Sequence, residues 1–316
     1  MTIMRPMRAS DVTNEDAIRW PKIVLPKIDG VRSVNMNGDT TGRSLRKHSN
    51  RYTTSRFSSP VFLGFDGEMA AAEITHPNLC SLTTSALNTA DGEPDIQWHL
   101  FDYVTETLFH HGYQWRMEAL RRKVESLRHP DLRIVEGRLI TSLKEMLEYE
   151  EGLLEEGYEG LILRDPNGAY KFGTSTMREQ GMLRIKRFIE EDALVTGISE
   201  GRKNLNPSKK NLLGRTERST HKENMVPNGM VGTLHCRLLK DMVYRGQVLF
   251  KEGMDIDVSP GKMTEAQARE FLNNPELILN TVVKVKVFPR GGKDKPRFPT
   301  FQSLRAKSDM PAGDSP

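Results

Sequence analysis

The sequence predicts an α+β protein in two parts: antiparallel strands with flanking helices over residues 1–189, then a small all-β barrel over residues 190–316. Three observations predict it. The 316 residues correspond to one large or two ordinary domains at roughly 150 residues each. The first part mixes apolar runs of strand length with two stretches of helical periodicity. The second part changes to closely spaced short strands with a single helix, a pattern suited to a barrel.

Residues 23–38 read as a strand, a turn at Asp29-Gly30 and a second strand through Val31, Ser33, Val34 and Met36. Residues 61–72 read as a buried strand with its turn. Trp115, Ala119, Leu120, Val124 and Leu127 give residues 113–128 a helical period. A second helix spans 142–156, with Ser142 and Glu145 at capping-box spacing and Gly157 as its stop. Short apolar runs follow at Gly160–Leu163, Leu183–Phe188 and Ala193–Ile198. Beyond residue 190, strands are expected at 230–238 and 243–250, joined by a turn at Lys240-Asp241. Thr264 and Gln267 cap a short helix through Leu272. Val283, Val285 and Val287 alternate with Lys284 and Lys286, a half-buried strand with one basic face.

Composition narrows the class. Hydrophobic residues at 37% are enough for a core, and charged residues at 28% for a solvated surface. No apolar run approaches the ~18 residues of a membrane span, and the amino terminus lacks the apolar stretch of a signal peptide. A cytoplasmic or host-cell intracellular location is therefore expected, with no membrane partner. Cys80 and Cys236 are too few for a disulfide framework or a four-cysteine zinc site. Charge is unevenly spread: residues 1–190 hold 25 basic and 27 acidic side chains, residues 191–316 hold 21 and 15. Within the second part, 201–224 carries seven basic against two acidic, and 284–307 eight against one. Two such blocks match the electrostatic footprint of phosphate-backbone binding.

Six short motifs carry chemistry. They are Lys27-Ile28-Asp29-Gly30-Val31-Arg32, Phe65-Asp66-Gly67-Glu68, Phe101-Asp102-Tyr103, Glu159-Gly160-Leu161-Ile162-Leu163-Arg164, Leu183-Arg184-Ile185-Lys186-Arg187-Phe188, and Arg297-Phe298-Pro299-x-Phe301-x-x-Leu304-Arg305. Each alone is common. A lysine nucleophile must be unprotonated although its reference pKa is about 10.4, and burial or a second cation such as Lys186 disfavours the ammonium. Lys27 is thus the candidate nucleophile. Arg184 and Lys186 alternate with apolar residues on a strand, so both face one way. Asp66 and Glu159 are hard oxygen donors suited to Mg²⁺. No Gly-x-x-x-x-Gly-Lys-Ser/Thr loop is present, so a P-loop ATPase is not supported.

In this order and spacing the six motifs resemble those of the covalent nucleotidyltransferases, the polynucleotide ligases and messenger-RNA capping enzymes. The last motif and Arg218-Ser219-Thr220-His221-Lys222 resemble most the small ATP-dependent DNA ligases of viruses and phages. The resemblance runs from about Lys22 to Arg305. It implies an adenylyltransferase (nucleotidyltransferase) domain over 1–189 and an OB-fold domain over 190–316, with a basic DNA-binding loop near 201–228. It implies that Lys27 takes AMP from ATP as a lysyl phosphoramidate, and that Lys186 and Arg184 hold the α-phosphate. The family usually has lysine at both of those positions. Glu68 would meet the ribose, Phe101 the adenine and Arg32 the nucleotide. Asp66 and Glu159 would ligate Mg²⁺ or Mn²⁺, and Arg297 and Arg305 would orient the pyrophosphate. Arg43 would grip the 5′-phosphate of a nick. Arg202, Lys209, Lys210, Arg215, Arg218 and Lys222 would wrap the duplex, in a segment ordered only on DNA. The implied partners are ATP and nicked duplex DNA, bound by a monomer.

Other readings stay open from sequence: a capping guanylyltransferase, an RNA ligase, or a non-catalytic single-strand-binding barrel. An NAD-dependent ligase is disfavoured by the missing cysteine module. Gly197-Ile198-Ser199-Glu200-Gly201 matches Gly-x-Ser-x-Gly, but the hydrolase elbow needs a helix after it, and a basic, Asn-rich stretch follows instead. His110-His111 has no second ligand pair at zinc spacing.

Overall fold

The structure is a computed structural model that describes residues 5–210, 216–244, 246–288 and 295–305. It divides into two compact units, the first ending at Lys186 and the second beginning at Arg187.

The first unit opens with β1 (Ser10–Asp11), β2 (Lys22–Pro26), β3 (Val31–Asn35), β4 (Thr40–Gly42), α1 (Arg51–Phe57), β5 (Phe65–Ala70) and α2 (Leu79–Asn88). It continues with β6 (Gln97–Tyr103), α3 (Tyr113–Leu127), β7 (Leu132–Ile134), β8 (Arg138–Ile140), α4 (Leu143–Glu156), β9 (Gly160–Arg164) and β10 (Met182–Lys186). Two five-stranded sheets result, ordered β1-β10-β9-β2-β8 and β4-β3-β5-β6-β7. The strands that flank Asp29-Gly30 do not pair with each other. β2 belongs to the first sheet and β3 to the second, so Lys27–Gly30 carries the chain from sheet to sheet.

Alternation explains the packing. Val24, Leu161, Leu163 and Leu183 are fully buried, against Ile140 and Met146. In the second sheet Phe65, Met69, Trp98 and Leu100 are fully buried beside Leu120 of α3. Each such side chain contributes about 1.5–3 kcal/mol by leaving water. α4 begins where expected, with the Ser142 hydroxyl accepting from the Glu145 amide at 3.2 Å. α3 forms as expected and packs Leu120, Val124 and Leu127 inward, but its inner face also takes in residues not expected there and leaves Trp115 out. Tyr113, Arg116, Met117 and Leu120 are buried, while Trp115 points outward and stacks on His111 at 4.2 Å. The physical reason is Arg116: an arginine that hydropathy places outside is drawn inside by a buried carboxylate, Asp102.

The second unit comprises β11 (Ile189–Asn204), β12 (Ser208–Lys210), β13 (Thr216–Arg218), β14 (Met225–Leu238), β15 (Met242–Tyr244), β16 (Gln247–Phe250), β17 (Asp255–Val258), α5 (Glu265–Asn273), β18 (Val282–Phe288) and β19 (Arg297–Leu304). Its main sheet runs β17-β14-β11-β18-β19, every pair antiparallel. The edge strands meet where Ser259 donates to the Pro299 carbonyl and accepts from the Phe301 amide, both at 2.9 Å, without a continuous ladder closing the barrel. Val283, Val285 and Val287 are fully buried, as their alternation demands. Thr264 and Gln267 form both halves of the capping box of α5. The run expected as one strand over 243–250 is instead a hairpin of its own, β15 paired with β16, turning at Gly246. Within the basic stretch from Arg202, the described residues form two short strands. β12 and β13 pair, and Asn206, almost fully buried, donates to the Ser219 and His221 carbonyls at 2.9 Å. Among the described residues no helix is long and apolar enough to cross a membrane.

Candidate active site

Three adjacent strands of the first sheet bring three charges together at one end. Lys27 follows β2, Glu159 precedes β9, and Lys186 closes β10. The ladder extends past β2, with the Lys27 amide donating to the Gly160 carbonyl at 2.9 Å and the Glu159 amide to the Lys27 carbonyl at 3.2 Å. Lys186 lies opposite Gly160 in the β10–β9 register. Gly160 is needed for this approach, since a Cβ there would lie 2.2 Å from the Ile185 carbonyl oxygen. Lys27 Nζ donates to Glu159 Oε2, and Lys186 Nζ donates to Oε1 of the same carboxylate. Burial alone would raise the Glu159 pKa, but the two lysines outweigh it and hold the carboxyl down at about 2. Lys186 is shifted below the ordinary lysine range by burial first, then by the neighbouring Lys27 charge.

The second sheet supplies the rest. Arg32 on β3 lies opposite Glu68 on β5, with Asp66 two residues before it on the same face. Gly30 permits the close approach, because a Cβ would sit 2.5 Å from the Met69 carbonyl oxygen. Arg32 grips Asp66 bidentately, Nε to Oδ1 at 2.9 Å and Nη2 to Oδ2 at 2.6 Å, and its Nη1 donates to the Met7 carbonyl at 2.6 Å. The Tyr170 hydroxyl donates to Asp66 Oδ2 at 2.6 Å and accepts from the Met7 amide at 2.8 Å. The guanidinium carbon of Arg32 lies 5.2 Å from the centre of the Phe101 ring. Burial pushes the Glu68 carboxyl up to about 7 against the pull of Lys27 and Arg32. Asp66 and Asp29 add to the upward push.

The resemblance implies Asp66 and Glu159 as metal ligands. The Asp66 carboxylate is fully buried, with both oxygens engaged by Arg32 and Tyr170, and both Glu159 oxygens are engaged by Lys27 and Lys186. Among the described residues no group of three or more His, Cys, Asp or Glu side chains is arranged to hold a metal by itself.

Sequence reasoning missed the support beneath Phe101. Asp102 is fully buried and meets two buried arginines, Arg116 at 2.7 and 3.0 Å and Arg164 at Oδ2. Burial works against the charge, but Arg164 and Arg116 hold the Asp102 carboxyl below its ordinary range. Tyr113 lies under Arg164, 4.2 Å from guanidinium to ring centre, and its hydroxyl donates to the Phe101 carbonyl at 3.1 Å. Tyr170 was missed too. The only signal was an acid inside an otherwise apolar strand, which does not reveal its partners.

Arg184 shares a face with Lys186, and both feel the Glu159 charge. Its side chain is paired with Asp11 on β1. Arg43 stands exposed in the turn after β4. In the second unit, Arg297 lies opposite Phe288 with its guanidinium 5.3 Å from the Phe298 ring, and Arg305 donates to Asp192 at 2.7 Å. Arg202, Lys209, Lys210, Arg218 and Lys222 are all exposed, on β11, β12, β13 and the turn after them. Arg215 lies outside the described residues. Ser199 does meet His235 Nε2 at 2.7 Å, and His235 Nδ1 meets Asp257 at 2.8 Å. The trio forms a solvent-exposed row across β11, β14 and β17, with no helix after Ser199, so the elbow that makes such a serine a nucleophile is missing.

No protein-family model matches the chain, and no curated protein matches it. Solved structures do. Two structures of Chlorella virus DNA ligase-adenylate are 25% and 26% identical to the chain, each with a TM-score of 0.52. The alignments cover 96% and 97% of this chain and 100% and 99% of theirs. A Lig E DNA ligase structure, 18% identical, aligns over 95% of this chain and 99% of its own with a TM-score of 0.67, a likeness of fold. The structural neighbours along nearly the whole chain are thus DNA ligases.

Proposed function

We propose that the chain is an ATP-dependent DNA ligase that seals 3′-hydroxyl/5′-phosphate nicks in duplex DNA. One observation carries the reading. Lys27, Glu159 and Lys186 meet at one strand end beside Arg32 and Phe101, in a chain similar over 96% of its length to a viral DNA ligase-adenylate. In this reading residues 1–189 are the adenylyltransferase domain and 190–316 the OB-fold domain, and the enzyme works as an intracellular monomer.

The chemistry follows from the cluster. Lys27 Nζ attacks the α-phosphorus of ATP, the bond to the β-phosphate oxygen breaks, and pyrophosphate leaves. Phosphoryl transfer needs positioning and charge neutralisation more than proton chemistry. With Lys27 neutral for the attack, Lys186 is the cation of the trio that meets the α-phosphate, and Glu159 balances its charge. Glu159, ionised down to about pH 2, is a weak base, so its part is to hold Lys27 and Lys186 in place. Phe101 offers a face to the adenine and Glu68 an acceptor to the ribose. Arg32 enters already oriented by Asp66 and Tyr170. Asp66 and Glu159 are the carboxylates that the resemblance implies for Mg²⁺ or Mn²⁺, which would supply charge neutralisation of the phosphates. AMP then passes from Lys27 to the 5′-phosphate of the nick, the adjacent 3′-hydroxyl attacks, and AMP departs. Arg297 and Arg305 serve the pyrophosphate, Arg43 the nick phosphate, and the exposed residues of β11 to β13 the duplex backbone.

The test is sealing of a defined nicked duplex with ATP and Mg²⁺, alongside mass spectrometry of the protein exposed to ATP. Wild type is expected to gain one AMP on Lys27 and to seal, and Lys27→Ala to do neither. A wild-type protein without the adduct overturns the reading.

A further inference from the structure

We propose that Asp11 is a positioning residue of the nucleotide site, and that it forms a matched pair with the arginine at position 184. The inference rests on the ligase reading and deepens it.

β1 pairs in parallel with β10, and the register sets Asp11 directly beside Arg184. The Val12 amide donates to the Arg184 carbonyl at 3.0 Å, which locks that register. Arg184 Nε donates to Asp11 Oδ1 at 2.6 Å and Nη2 to Oδ2 at 2.8 Å. Two parallel donations fix the plane of the guanidinium as well as its position. They consume one edge of the fork and leave Nη1 and the outer hydrogen of Nη2 for another acceptor. Leu183 and Ile185 are buried on one face of β10, so Arg184 shares the other face with Lys186, whose amine already meets Glu159.

Arg32 is held in the same way, its Nε–Nη2 edge closed by Asp66. Both arginines of the nucleotide site are therefore aimed by a carboxylate on the same edge of the fork. The same amino-terminal segment touches both, through the Met7 carbonyl at Arg32 and the Asp11 carboxylate at Arg184. A lysine at position 184 has a single ammonium that a carboxylate cannot aim in this way. Arginine here brings a fixed, planar donor to the phosphate only if something fixes it, and Asp11 is the side chain that does.

The experiment is a double-mutant cycle on the complete chain. AMP transfer from labelled ATP to the protein is followed in single turnover for wild type, Asp11→Asn, Arg184→Lys and the double variant, with melting temperatures measured for all four. Asp11→Asn is expected to slow transfer at saturating ATP by roughly tenfold in the wild-type background and by less than about twofold in the Arg184→Lys background. Asp11→Glu, which keeps the charge, is expected to recover most of the rate. Melting temperatures should stay together, because the pair is partly exposed, the Asp11 side chain at 64%. An unchanged rate in Asp11→Asn overturns the inference. So does an equal loss in both backgrounds, or a loss that tracks a fall in melting temperature. Absence of any adduct in wild type is a different failure, since it removes the ligase reading and this inference with it.

Discussion

Lys27 and Lys186 share one carboxylate, each donating to a different oxygen of Glu159. That shared acceptor keeps two ammonium groups close at the end of β2 and β10, where each alone would repel the other. Replacing Glu159 by Gln keeps the shape and removes the charge. Adduct formation on Lys27 is then expected to fall by roughly a hundredfold, the scale of removing one preorganised electrostatic contact. Quantitative labelling with ATP checks it, and a wild-type rate would mean that the bridge is decorative.

Opposite pH slopes are expected from the two carboxylates of the site. Glu159 lies below its unfolded value of 4.5, at about 2, so the stability it contributes is fully present above 4.5 and is lost as pH falls toward 2. Glu68 lies above that value, at about 7, because burial favours the neutral form. The folded state then binds the extra proton between 4.5 and 7, and stability falls as pH rises through that window. Glu68→Gln should therefore gain on wild type between pH 5 and pH 8, while Glu159→Gln should lose ground at neutral pH and converge with wild type in acid. Melting curves from about pH 2 to pH 8 decide both signs.

Much of this site was legible in sequence because its chemistry is local to strand ends. Lys27, Glu159 and Lys186 each sit where an apolar run begins or stops, and alternation alone predicts that Arg184 and Lys186 share a face. What was not legible was pairing at long range. Asp66 reads as a free acid until Tyr170, 104 residues away, and Arg32 are seen to close on it. Arg116 breaks the apolar face of α3 for the same reason, since only the fold brings Asp102 under it. Hydropathy counts such an arginine as surface, and a buried ion cluster inverts the count. The 243–250 run failed differently, because apolar residues on both sides of Gly246 look continuous when the turn between them is ignored.

The Asp102 cluster makes a stability prediction. Asp102 is enclosed with Arg116 and Arg164, all three essentially without solvent exposure. Asp102→Asn leaves two buried guanidinium groups without a counter-charge, and a loss of about 3–5 kcal/mol is expected. The exposed pair Arg121–Glu136, at 2.7 Å, supplies the control, with Arg121→Ala costing less than ~1 kcal/mol. Urea denaturation of the two variants should separate by that margin. Equal costs would show that burial does not set the energy of these pairs.

The basic hairpin makes a prediction about salt. Lys209 and Lys210 are exposed on β12, with side chains in water and no share in the core. If they meet phosphates, Lys209→Ala with Lys210→Ala should lower the slope of log affinity against log salt by roughly 0.9 for each phosphate no longer neutralised. Duplex binding measured at several salt concentrations reads the slope directly. AMP transfer to Lys27 in the absence of DNA should be unchanged, and a slope equal to wild type would remove these two lysines from the duplex interface.

Tyr170 separates orientation from binding most sharply. Its hydroxyl is buried between the Asp66 carboxylate and the Met7 amide, so Tyr170→Phe removes one donor and one acceptor without changing the ring that packs near Arg116. The Met7 N–H is left unsatisfied, which costs about 1–3 kcal/mol of stability. Asp66 and the Met7 carbonyl then hold Arg32, but Asp66 Oδ2 loses the hydroxyl that fixes it. If Arg32 works by meeting the nucleotide in a fixed orientation, the KM for ATP in adduct formation should rise several-fold while the rate at saturating ATP changes little, the mark of weakened ground-state binding. A purely structural tyrosine would lower melting temperature and leave KM untouched. Steady-state labelling across ATP concentrations, run well below the melting transition of the variant, distinguishes the two. Parallel losses in KM and rate would instead move Tyr170 closer to the reacting phosphate than its buried hydroxyl allows.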